Sequence, residues 1–355
     1  MPVASDVLTV PAFVDLQVNG FAGVDYNDPP VSPEAVAASI RRLFQTGVTR
    51  FLPTIITGSP QRMAGALHGL AEAQQEFLRC GLPEGGAIAG FHVEGPHISP
   101  EDGPRGAHPL EHVRPPDWDE FQRWQEAAGG AVRMVTVSPE YDGAPRYIAA
   151  LARAGVVAAI GHTRANPDQI RAAVDAGATI STHLGNGAHA VLHKTSNYIW
   201  DQLAEDRLTA SFIVDGIHLP PAFVACAIRM KGAGRSVLVT DAVTPAMCQP
   251  GLYKLGEMPV ELLAGNRVVL RGTDRLAGSA LTMDRAVGNC VRFAGVSLET
   301  ALEMASATPA RAAGLGDCAD LVRCRWDESS RSLTVLETTV GGQSGRDPRP
   351  RVSEL

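Results

Sequence analysis

No two cysteines of this 355-residue chain form a CxxC pair; the six are scattered at positions 80, 226, 248, 290, 318 and 324. That spacing argues against a cysteine-held zinc or a disulfide framework and implies reduced thiols in a cytoplasmic protein. No basic block interrupts a net charge of −7, so nucleic acid is not an expected partner. No apolar run reaches membrane-spanning length, and no membrane association is expected. The N-terminal MPVASDVLTVP lacks a basic segment followed by an apolar one, so it does not read as a signal peptide. No GxGxxG follows the first strand-like run, which disfavours a dinucleotide-binding sheet. Internal repeats and low-complexity blocks are also missing.

What is present is a core-rich chain, 45% apolar and 19% charged. Eight apolar runs of strand length recur: 12–19, 49–56, 87–94, 132–140, 156–162, 178–184, 210–218 and 236–242. Between many of them lie segments with Ala, Leu, Ile or Val at i, i+3 and i+4, several ending in Gly. Strand–helix alternation predicts parallel strands with right-handed crossovers, and eight of them predict an α/β fold of the closed (β/α)8 TIM type. The barrel is placed at 11–315, with a β excursion near 250–275. Residues 1–10 and 316–340 are expected to form a small β-domain, and 341–355 to be a disordered tail.

In such barrels the chemistry comes from the C-terminal strand ends. Here those ends carry Asn19, Glu94, His162, His183, His218 and Asp241. A lone strand-end histidine is usually just a hydrogen-bonded polar residue. Three of them converging with a Glu and an Asp read better as a metal site with an open position for water. Glu94, His162 and His183 are the best three ligands, for a metal that lowers the pKa of bound water. Asp241 fits a general base, or else a helix cap or ion-pair partner. His218 fits a donor to substrate, or else a packed histidine.

The blocks FHVEGPHISPEDGPRGAHP (91–109), IGHTRANPDQIRAAVDAGATISTHLGNGAH (160–189), VDGIHL (214–219), VTDA (239–242) and LAGSALTMDRAV (276–287) resemble the N-acetylglucosamine-6-phosphate deacetylases of the amidohydrolase superfamily. The resemblance implies hydrolysis of the N-acetyl group of an amino-sugar phosphate by metal-bound water. It implies one divalent metal on Glu94, His162 and His183, zinc first, with iron or another divalent ion as alternatives. Asp241 takes and returns the proton. His218 and His108 contact the sugar and acetamide oxygen, and Asn186 and Gly187 lie at the sugar or phosphate. A homodimer is implied too, because the family grips phosphate with an arginine from a neighbouring subunit.

Two departures stand out. The phosphate-gripping position is Lys194 here, a point charge rather than a bidentate fork. Arg105, in the loop 95–109, is a second candidate for that charge; His97 in the same loop is left without a role. The terminal β-domain is also shorter than the family's, which predicts some loss of stability or a compensating subunit contact. Finally, Gln17 and Asn19 occupy the two positions where many amidohydrolases carry His-x-His for a second metal. Carboxamides are poor zinc ligands, so they are expected to line the site beside a single metal. The alternatives are a deacetylase of another N-acetylated amino sugar, phosphorylated or not, and a binding barrel without catalysis.

Overall fold

The computed structural model describes residues 6–341 and 343–345. Its centre is an eight-stranded sheet of β2 (Phe13–Val18), β5 (Val48–Ile56), β6 (Phe91–Glu94), β7 (Val132–Val137), β8 (Val157–Ile160), β9 (Ala178–Ser181), β10 (Thr209–Ile213) and β11 (Ser236–Val239). Each of the eight apolar runs supplies one of these strands, in sequence order and in parallel register. The ring closes where Val18 bridges Ala242 and the Asn19 N–H donates to the Ala242 carbonyl at 2.7 Å. Closure leaves the barrel no open edge.

Strands covered on both faces have no room for exposed polar side chains, so polar residues on them turn inward and must find partners. All six residues of β2 are buried, although Asp15 and Gln17 are polar. Three of the outer helices begin where the sequence places Ser-Pro or Asn-Pro. Ser32, Ser59 and Asn166 each cap a helix whose first residue is Pro33, Pro60 or Pro167. The side-chain oxygen satisfies an orphan N–H, and the proline occupies a position with no N–H to lose.

The segment 298–315 reads as one helical pattern but forms two helices, Leu298–Ala305 and Ala307–Ala312, parted at Ser306. Pro309 cannot donate to a carbonyl one turn back, so it is tolerated only in the first turn of a new helix. The helix Trp118–Ala127, between β6 and β7, is capped by the Asp117 carboxylate, which accepts from the Asp119 N–H.

Three further sheets flank the barrel, the smallest being the antiparallel pair β3 (Gly20–Phe21) and β4 (Val24–Asp25). The excursion folds into β12 (Gly251–Leu255), β13 (Met258–Leu262) and β14 (Val268–Leu270), antiparallel throughout. At the barrel's outer side, β1 (Asp6–Pro11) pairs with β15 (Leu321–Asp327), which pairs with β16 (Ser332–Val340) and then β17 (Gln343–Gly345). This small sheet joins the two ends of the chain. The disordered tail expected at 341–355 falls outside the described residues, apart from Gly341 and β17. Among the described residues no helix is long and apolar enough to cross a membrane.

Candidate active site

Three side chains from three strand ends meet above the barrel. The Glu94 Oε1 atom lies 2.8 Å from His183 Nε2 and 3.3 Å from His162 Nε2, and the two imidazole nitrogens are 3.1 Å apart. All three groups are buried. The His162 Nδ1–H donates to the Pro104 carbonyl at 2.8 Å, which leaves Nε2 a lone pair aimed at the other two. Two imidazole nitrogens and a carboxylate oxygen facing one another without enough protons to pair them call for a cation between them. The donor set suits zinc, or another divalent ion that accepts nitrogen and oxygen ligands. Among the described residues this is the one such cluster.

The backbone is bent to achieve this. His162, His183 and Asp241 have φ of 48°, 27° and 50°, in the left-handed region that non-glycine residues rarely adopt. At each of these points the chain leaves its strand and turns the side chain over the barrel mouth. Such strain persists only where the surroundings enforce it, and it gathers at functional sites. Gly187 is part of that enforcement. At φ +55° a Cβ on it would stand 2.6 Å from His162 Nδ1, so the chain passes over the imidazole only as glycine.

The polar face of β2 sits directly beneath. The Gln17 carboxamide donates to Glu94 Oε1 at 2.8 Å, and that of Asn19 donates to Asp241 Oδ1 at 2.7 Å. Each amide orients one carboxylate. Deeper still, Asp15 accepts from the Thr240 hydroxyl at 2.6 Å and so ties β2 to the residue preceding Asp241.

Electrostatics separate the carboxylates. Burial acts to raise Glu94, but the close imidazoles of His162 and His183 outweigh it and hold Glu94 well below its ordinary value. His183 shifts the opposite way: burial lowers it, and the Glu94 hydrogen bond and charge carry it above its ordinary value. Burial pushes Asp241 up to about 6, helped by the Glu94 charge. Asp15 rises to about 7, again through burial. His108 is lowered to about 3 by burial and the neighbouring His162, so it is neutral near pH 7.

A pocket of about 280 Å³ opens over these groups. Its lining brings together nine of the residues expected from the sequence: Asn19, Glu94, His108, His162, His183, Asn186, Gly187, His218 and Asp241. Gln17 lies just below. Two others are elsewhere. Lys194 is exposed on the loop beyond the pocket. The Arg105 guanidinium donates to the His108 carbonyl at 2.8 Å and to Asp102 at 3.3 Å, so it braces its own loop and does not line the pocket. His97 stands apart as a packing residue, buried between the rings of Trp124 and Tyr147 with centroids 5.3 Å from each.

Four contributors were not anticipated from the sequence. Asp215 Oδ2 sits 2.6 Å from His218 Nδ1 and its other oxygen accepts the His218 N–H, which directs His218 Nε2 outward. The Thr57 hydroxyl is 2.8 Å from His108 Nδ1 and aims that ring likewise. Leu255 and Met258, at the β12–β13 turn, form part of the pocket wall. The Asp-x-x-His spacing was a readable signal for Asp215; nothing in the sequence linked the other three to the site.

Comparison with known proteins places this arrangement. Residues 8–344 match the model of the amidohydrolase family. The chain is 37% identical over 317 residues to the N-acetylglucosamine-6-phosphate deacetylase of Bos taurus, covering 87% of this chain and 75% of that one. It is 34% identical over 309 residues to the N-acetylgalactosamine-6-phosphate deacetylase of Escherichia coli O157:H7, covering 87% and 78%. Among solved structures, a variant N-acetyl-D-glucosamine-6-phosphate deacetylase of Mycobacterium smegmatis, in complex with N-acetyl-D-glucosamine-6-phosphate, superposes with a TM-score of 0.85 at 33% identity, covering 97% of this chain and 90% of that one.

Proposed function

The chain belongs to the amidohydrolase family, and from that premise we propose that it hydrolyses the N-acetyl group of N-acetylglucosamine 6-phosphate to glucosamine 6-phosphate and acetate. The observation that carries this reading is the convergence of Glu94 Oε1, His162 Nε2 and His183 Nε2 in a pocket that Asp241 also lines. These three residues would hold one divalent cation, zinc first and iron second. When bound, that cation supplies Lewis acidity to the acyl oxygen and to water.

The remaining roles belong to the chain itself. Asp241, steadied by Asn19 and shifted towards neutrality, removes the proton from the attacking water and returns it to the departing amine nitrogen. His108 is neutral, with Nδ1 engaged by Thr57, so its Nε2–H is free to donate to the acyl oxygen as negative charge develops there. His218, held by Asp215, meets a sugar hydroxyl or phosphate through Nε2. Asn186 and the backbone at Gly187 face the same substrate edge. Arg105 contributes by keeping the His108 loop in place.

Among the described residues no lysine or arginine lines the pocket. In this reading the phosphate charge is met by Lys194 of a second copy in a homodimer, and the protein works in the cytoplasm. A second reading keeps the chemistry and changes the sugar to the galacto epimer, because a relative of nearly equal identity is named for that substrate.

Acetate release from N-acetylglucosamine 6-phosphate, its galacto epimer and unphosphorylated N-acetylglucosamine, alongside metal analysis, tests both readings. About one metal per chain and a preference for one phosphorylated sugar are expected. Asp241→Asn is expected to lower kcat by about 10²–10⁴-fold with metal content unchanged. Equal acetate release from variant and wild type would sink the mechanism.

A further inference from the structure

The two arcs of the barrel mouth differ in character. The loops after β9 and β10 bring polar groups: Asn186, the backbone of Gly187 and His218. The neighbouring arc, from β11 round through β2 to β5, carries Asp241 and Asn19 but adds the apolar Val243 and Ile56 beside them, and the excursion sheet adds Leu255 and Met258. A sugar phosphate offers hydroxyls and phosphate, all of which lose free energy against an apolar wall. The acyl group is the one part of the substrate that gains there.

Behind this wall lies a second cavity of about 180 Å³. It shares Ile56, Leu255 and Met258 with the catalytic pocket, so these three side chains form the partition. Its buried apolar lining is Ile55, Met63 and Ala66; Asn27, also buried there, spends its carboxamide on backbone groups, and the charged groups are Arg62, Glu111 and Glu257, of which Glu111 and Glu257 are exposed. Thr57, which aims His108, also lines it, so the cavity borders the acyl-oxygen side of the pocket. Met258 in the partition is half-buried and unbranched, and a methionine repacks easily.

We propose that this annex receives acyl chains longer than acetyl, so that the enzyme also hydrolyses N-propionyl and N-butanoyl glucosamine 6-phosphate. The inference rests on the deacetylase reading of the same pocket. The reaction balances as for acetyl. Water adds its oxygen to the acyl carbon, and the C–N bond breaks with its electron pair going to nitrogen. The amine takes the proton, and the longer carboxylate departs. Met258 and Leu255 yield towards the annex as the added methylenes enter.

The test is the kcat/KM of the metal-loaded enzyme for the N-acetyl and N-butanoyl substrates, in wild type and in Gly58→Val. Gly58 lines the annex but not the catalytic pocket, and a Cβ there would meet nothing closer than 3.7 Å, so a side chain can be added at this position to take up annex space. Wild type is expected to hydrolyse the butanoyl substrate within about tenfold of the acetyl one. Gly58→Val is expected to lose butanoyl activity by about tenfold or more while keeping acetyl activity within about twofold. A larger butanoyl deficit in wild type, or a Gly58→Val loss equal for both substrates, overturns the annex and leaves the deacetylase reading standing. No turnover of the acetyl substrate overturns that reading and the annex with it. If Gly58→Val does not fold, the wild-type comparison decides alone.

Discussion

At the scale of single residues, the site is organised by amides and carboxylates in pairs. Gln17 with Glu94 and Asn19 with Asp241 each consume one acceptor of a buried acid. A neutral donor does this without adding the positive charge that would compete with a metal. Asp15, one layer deeper, carries a consequence for stability. Its folded pKa, about 7, lies above its ordinary value of 3.8 because burial disfavours the ionised form. Between those values the folded state holds a proton that the unfolded chain releases, so stability falls as pH rises through the window. Urea unfolding at several pH values between 4 and 7 is expected to show wild type losing stability relative to Asp15→Asn. Parallel curves would contradict the assignment. Gly187→Ala is expected to cost about 1–3 kcal/mol through its left-handed backbone and to displace His162. Metal content per chain, measured on the purified variant, should fall; unchanged occupancy would show that the loop relaxes freely.

At the scale of elements, strand periodicity and helix punctuation carried most of the information. Each of the eight apolar runs produced a parallel strand, because such runs have no other way to bury both faces. Ser32-Pro33, Ser59-Pro60 and Asn166-Pro167 marked helix starts through local hydrogen bonding alone. The two-helix break at Ser306 and the helix Trp118–Ala127 were less visible, since their boundaries depend on packing against the barrel. The excursion was legible as short strands but not as a pocket wall. Its turn is fixed by contacts far away in sequence: the Gly256 N–H to Asp25 Oδ2 at 2.6 Å, and Arg62 beside Glu257 at 3.7 Å.

At the scale of the molecule, a cation held by Glu94, His162 and His183 would link the β6, β8 and β9 ends and bind the folded state alone. Chelation is therefore expected to lower Tm. The stabilisation lost is about 2.7 kcal/mol where free metal stands a hundredfold above its Kd. A Tm indifferent to chelator would argue against a cation at Glu94, His162 and His183. The exposed Lys194 tests assembly. Lys194→Ala is expected to raise KM for the phosphorylated sugar about fivefold or more, and to leave the unphosphorylated sugar unaffected, as the loss of one charge on phosphate requires. An equal effect on both would remove the cross-subunit grip.

The sequence by itself determined the barrel, because alternation of apolar strands and amphipathic helices leaves one efficient way to bury them. It also determined the identity of the acids and histidines at the strand ends, because their residue types are fixed by the chemistry they can do. Only the tertiary structure decided which of them meet. His162 and His183 stand 68 and 89 residues from Glu94 along the chain, and their approach to it depends on barrel closure and on left-handed turns that no local pattern encodes. The same holds for the rest of the pocket. Arg105 is drawn into its own loop, while Leu255 and Met258 become a wall, since both outcomes follow from where distant segments pack.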